Sequence, residues 1–148
     1  DYPFHIRFIE YMPIGDSRMH AGDSILAPEI KKRVETLGKL MPVEKNQMDG
    51  PAERFRFEDA PGEIGFIRPI SRHFCAECNR LRLTADGHIR PCLLSDRQLD
   101  VKGPMRAGCS DDHIAEIFKA AVAHKQDAHR CGGDPAFRVA DQMSGIGG

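Results

Sequence analysis

Asp86-Gly87 interrupts a run in which charged and apolar residues alternate, and that dipeptide makes the chain fold back on itself. The arm before it is Arg80-Leu81-Arg82-Leu83-Thr84, and the arm after it is His88-Ile89-Arg90. Three cysteines lie on the same two arms: Cys75 and Cys78 upstream, Cys92 downstream. The turn register therefore decides whether the three thiols meet. A two-residue turn pairs Leu81 with Cys92 and sends Cys92 to the core face, away from Cys78. A three-residue loop, Ala85-Asp86-Gly87, pairs Thr84 with His88, Arg82 with Arg90 and Arg80 with Cys92. Gly87 then takes the left-handed position of a G1 bulge. This second register is the one expected, because it sets all three cysteines beside Arg80 and Arg82. A strand starting near Cys78 puts Cys78, Arg80, Arg82 and Thr84 on one face and turns Leu81 and Leu83 toward the core.

The spacing C-x2-C-x13-C admits several chemistries. A zinc site of Cys3His type needs a fourth ligand, and His73 or His88 is the candidate. A redox dithiol of Cys75 and Cys78 leaves Cys92 without a role. Buried free thiols are a third reading. A [4Fe–4S] cluster on three thiolates is the fourth, and it leaves one iron open to substrate. Between positions 68 and 90 stand Arg68, Arg72, Arg80, Arg82 and Arg90 against Glu77 and Asp86. Guanidinium forks match phosphate oxygens, so arginines beside an open iron suit a polyanionic substrate.

The rest of the chain reads as mixed α and β. Residues 4–12 are expected to form a mostly buried strand, residues 28–38 a helix with Ile30, Val34 and Leu37 on one face, and residues 54–58 and 64–69 two further strands. Residues 110–125 carry the clearest helix signal. Ser110 is placed to cap it, Asp111 and Asp112 lie in its first turn, and Ile114, Ile117, Phe118, Ala121 and Val122 make its apolar stripe. Residues 126–135 read as loop, and 136–143 as a short helix. Net charge is −1, so nothing global draws the chain to nucleic acid or membrane, and neither partner is expected. Five cysteines in a chain of this size fit a reducing, cytoplasmic setting with thiols used as ligands. The chain opens on a strand-like run without an initiator methionine, so a fragment with its N-terminal part missing is expected.

"FIEYMPIG", "FCAECNRLRLTADGHIRPCL" and a terminal "GG" together resemble the molybdenum cofactor biosynthesis protein A family, the radical S-adenosylmethionine GTP 3′,8-cyclases. The resemblance implies the last strand and helix of an incomplete TIM-like α/β barrel (residues 1–45), followed by an α+β hairpin and helical region (residues 46–148). It implies a second [4Fe–4S] cluster on Cys75, Cys78 and Cys92. Arg80, Leu81, Arg82 and Arg7 would contact GTP, and Met12 S-adenosylmethionine. The Gly147-Gly148 tail would reach the active site. The family's first cluster rests on a C-x3-C-x2-C motif that this chain lacks. The implied partners are therefore the missing barrel half and, in the full-length protein, a second copy, and the chain alone is expected to be inactive. Cys109 and Cys131 fall outside the family's ligand set. The other class of function that these residues permit is a zinc-binding Cys3His interaction module.

Overall fold

Phe8 stacks on Phe66, ring centroids 5.7 Å apart, and around this pair the first half of the chain builds its core. The computed structural model describes residues 2–15, 23–46, 49–125 and 137–146. These pack as two units: 2–12 with 23–74, and 13–15 with the described part of 75–146. The protein is a mixed α+β structure with one sheet in each unit.

The first sheet has four strands: β1 (His5–Ile9), β2 (Leu40–Pro42), β3 (Glu53–Phe57) and β4 (Glu63–Ile67), in the order β1-β4-β3-β2. β1 runs parallel to β4 and the other pairs are antiparallel. A parallel pair needs a crossover, and helix α1 (Ala27–Glu35) with β2 and β3 provides it. Ala27 and Val34 of α1 close over Phe66, with Phe8, Phe55, Phe57 and Ile64 packed around them. Period-2 alternation puts the charged residues Arg7, Arg54 and Glu63 on the opposite face.

The start of α1 is held from a distance. Its N-cap residue is Leu26, which has no side-chain acceptor. Glu10, 2% exposed, supplies one: its carboxylate accepts from Ala27 N at 3.0 Å. The same carboxylate accepts from Ile70 N at 2.9 Å, Ser71 N at 2.8 Å and the Ser71 hydroxyl at 2.5 Å. Burial by itself pushes the Glu10 carboxyl up. The bonds from Ser71, Ala27 and Ile70 outweigh it and hold the group below its ordinary value.

The second unit carries β5 (Arg82–Leu83), β6 (His88–Arg90) and β7 (Leu99–Asp100), antiparallel and in that order. Two helices follow, α2 (Lys102–Arg106) and α3 (Asp111–Ala123). The Ser110 hydroxyl accepts from His113 N at 3.3 Å, as an N-cap should. Ile114, Ile117 and Ala121 of α3 pack with Ile89, Val101 and Leu81. Ile14 makes a parallel bridge to Val139, and a 3-10 turn spans Met143–Gly145.

Several expectations are corrected. β1 is shorter than residues 4–12 and mostly exposed, with Ile6 and Ile9 half open to solvent, because it is an edge strand paired on one side by β4 alone. Leu37 lies beyond the end of α1 and is exposed. Leu83 is exposed as well, since it ends a two-residue edge strand outside the cluster that α3 forms over Ile89. Phe118 and Val122 sit on the flank of the α3 stripe and not at its centre. Residues 137–142 are not helical: Val139 pairs with Ile14 instead. The expected loop 126–135, with Cys131 in it, and the Gly147-Gly148 tail lie outside the described residues.

Candidate functional site

The hairpin takes the three-residue loop. Arg82 pairs with Arg90 and Leu83 with Ile89. Thr84 N donates to His88 O at 2.9 Å, and His88 N donates to the Thr84 hydroxyl at 2.9 Å. Gly87 has φ +91°, the left-handed region that side chains resist. Its carbonyl accepts from Val101 N at 3.0 Å and Lys102 N at 3.1 Å, so the turn also anchors the start of α2. A Cβ on Gly87 would come within 2.5 Å of Lys102 Cβ. The Asp86 carboxyl is held below its ordinary value by the Thr84 hydroxyl and by His88, whose Nδ1 stands 3.1 Å from Asp86 Oδ2. His88 thus points its ring nitrogen at the turn.

Upstream, a 3-10 turn at Cys75–Glu77 brings Cys78 N to Cys75 O at 3.1 Å. The strand begins at Arg82 and not near Cys78, so Cys78 sits in irregular backbone. Cys75, Cys78, Cys92 and Cys109 are all free and half-buried. Burial pushes the Cys92 thiol up, and charge on Cys75 and Cys78 raises it further. The Leu94 N–H and the Lys125 ammonium act the other way. Three soft sulfur donors with no carboxylate among them suit iron–sulfur ligation in their chemistry. As placed, no three His, Cys, Asp or Glu side chains among the described residues are close enough together to hold a single metal ion. The fit rests on the donor set and its shared neighbourhood.

The arginines divide. Arg80 is exposed, Arg82 is half-buried, and Leu81 between them packs into the core. Arg90 is fully buried: it donates to Asp141 and to Ser95 O, and lies 3.5 Å from Asp96. It does not face the thiols as a free cation. Arg7 and Met12 belong to the other unit. Arg7 sits opposite Gly65 in the parallel register and reaches to 3.8 Å from Glu63 Oε2. A Cβ on Gly65 would lie 2.5 Å from Arg7 Cδ, so the glycine lets that side chain cross the sheet. Met12 is half-buried after the end of β1.

A family model described as Molybdenum Cofactor Synthesis C matches residues 4–131. The chain belongs to that family. Its relatives include the GTP 3′,8-cyclase of Moorella thermoacetica, 46% identical over 99% of this chain and 45% of that protein. The GTP 3′,8-cyclase of Pelotomaculum thermopropionicum is 45% identical over 99% of this chain and 45% of its own length. That of Thermodesulfovibrio yellowstonii is 48% identical over 78% of this chain and 36% of its own. The chain thus spans less than half the length of these relatives.

One residue of this Molybdenum Cofactor Synthesis C chain went unassigned in the sequence reading. Lys125, after the end of α3, donates to Arg80 O at 2.9 Å and Pro91 O at 3.1 Å, and stands 3.6 Å from Cys78 Sγ. Its sequence signal was a basic residue near a helix C-terminus, which ordinarily answers the helix dipole alone. No helix among the described residues is long and apolar enough to cross a membrane.

Proposed function

We propose that this chain is the second-cluster and GTP-binding part of a GTP 3′,8-cyclase, acting in molybdenum cofactor synthesis. The observation that carries the reading is the bulged hairpin, whose register turns the arm of Cys92 back alongside the arm of Cys78. In this reading Cys75, Cys78 and Cys92 hold a [4Fe–4S] cluster. When bound, that cluster offers an iron without a protein ligand, where the guanine of GTP can dock.

The remaining work falls to the chain's own side chains. Arg80 and Arg82 lie two and four residues after Cys78, so guanidinium groups meet the phosphates while the base stays near the thiolates. Arg7 adds a further phosphate contact, and Met12 packs against S-adenosylmethionine. Leu81 anchors the Arg80–Arg82 segment by its burial, and burial of such a side chain stabilises by roughly 1.5–3 kcal/mol when complete. Gly147 and Gly148 reach the reacting centre as backbone. Residues 1–45 close the end of a partial barrel and 46–148 form the second-cluster region. The full-length protein works as a dimer, with the first cluster on its other half.

The test is anaerobic iron and sulfide analysis of the full-length protein beside its Cys75→Ser and Cys92→Ser variants. The expected result is loss of about four irons per chain in each variant, one cluster's worth. Unchanged iron, or a colourless protein that carries zinc on these thiols under anaerobic conditions, overturns the reading.

A further inference from the structure

The antiparallel ladder of β5 and β6 runs outward from the Asp86-Gly87 turn. Pairing ends at Arg82 with Arg90. The cysteines lie beyond that point: Cys78 two residues before Arg80, Cys92 one residue after Pro91. The two backbone arms that carry them therefore need another link.

Lys125 supplies that link. An ammonium has three donors, and here it has three acceptors: Arg80 O, Pro91 O and Cys78 Sγ. One carbonyl belongs to each arm, and the sulfur is one of the three thiols. Fixing a lysine costs up to about 2 kcal/mol of side-chain entropy, so a fully engaged, half-buried ammonium is a specific arrangement and not a solvated helix end.

We propose that Lys125 is a positioning residue for the thiolate set: it ties the arm of Cys78 to the arm of Cys92 and holds a permanent positive charge against the Cys78 sulfur. The proposal rests on the reading that these thiols carry a cluster. Two effects follow. The tie keeps the two arms linked when iron is absent, so cluster assembly starts from arms already joined. The charge favours the more negative, reduced cluster, so it raises the midpoint potential.

The experiment uses the full-length protein, prepared anaerobically, with Lys125→Met, Lys125→Gln and Lys125→Arg. Three quantities are read: the midpoint potential of the second cluster, the rate at which a chelator removes its iron, and the thermal midpoint of the iron-free protein. Lys125→Met and Lys125→Gln are expected to shift the potential negative and to speed iron loss severalfold, while Lys125→Arg restores both toward the parent. Neutral variants that fold normally and match the parent in potential and iron release overturn the proposal. If both neutral variants fail to fold, Lys125 is a structural staple, and the proposal is overturned in that case too. A parent protein that takes up no iron on these thiols sinks the cluster reading itself, and that outcome is distinct from any result among the variants.

Discussion

Arg90, buried in the middle strand of the second sheet, donates to Asp141, a residue 51 positions further along the chain. The guanidinium also meets Ser95 O and Asp96, and its Nε has no partner among the described residues. Removing Asp141 would leave a buried cation poorly compensated. Asp141→Asn is expected to cost about 1–3 kcal/mol, read as a lower urea midpoint with an unchanged slope. Asp141 is half-exposed, which keeps the figure below that of a fully buried pair. A midpoint equal to that of the parent would show that Ser95 O and Asp96 are sufficient.

Glu10 gives the fold an acid limit. Its carboxyl is held below the ordinary value of 4.5, so the folded state binds a proton less readily than the unfolded one. That contribution is complete above the unfolded-state value and is lost as pH falls through the lower folded-state value. Stability measured between neutral pH and about pH 3 should decline on the acid side, and Glu10→Gln should flatten that part of the curve. The same variant should be less stable at neutral pH by about 1–3 kcal/mol, because an amide answers fewer of the four donors. An identical acid slope in the variant would place the titration elsewhere.

Gly87→Val tests the bulge. A β-branched residue resists φ +91°, and its Cβ would collide with Lys102. Destabilisation of about 1 kcal/mol or more is expected in thermal or denaturant unfolding. Full retention of stability would mean that the hairpin accepts another register.

Arg80→Ala and Arg82→Ala, made in the full-length protein, are expected to weaken GTP binding by about 1.5–3 kcal/mol each, the scale of a charge-assisted hydrogen bond. Calorimetry reads the affinity and iron analysis checks the cluster. Intact GTP affinity with reduced iron would make these arginines structural.

The 148-residue chain alone, reconstituted with iron and sulfide, is expected to make no 5′-deoxyadenosine from S-adenosylmethionine and dithionite. It has no C-x3-C-x2-C motif, and Cys109 and Cys131 do not replace one. Chromatography of an anaerobic reaction decides the matter, and turnover would relocate the radical chemistry to the thiols present here.

Features set by local chemistry were legible in the sequence. Asp86-Gly87 and the need to return Cys92 gave the loop length, and Ser110 with the spacing of Ile114, Ile117 and Ala121 gave α3. Features set by distant partners were not. Glu10 caps a helix 17 residues on and a turn 60 residues on, and no local pattern encodes either contact. Arg90 reads as a surface cation until Asp141 arrives to neutralise it. The contacts of Lys125 with Arg80 O and Pro91 O become visible when the end of α3 is set against both arms of the hairpin. β2, β7 and α2 have two to five residues each, too few for periodicity to register.

The bridge between Ile14 and Val139 bears on the order in which the protein is made. Val139 N donates to Pro13 O and Gly15 N donates to Val139 O, at 3.1 and 2.8 Å. Pro13, Ile14 and Gly15 are synthesised well before their partner Val139, which lies far along the chain. The second unit is therefore not one uninterrupted stretch of gene. A truncation that starts at Cys75 would strip Val139 of its strand partner, and a nascent chain must keep Ile14 uncommitted until Val139 has been made.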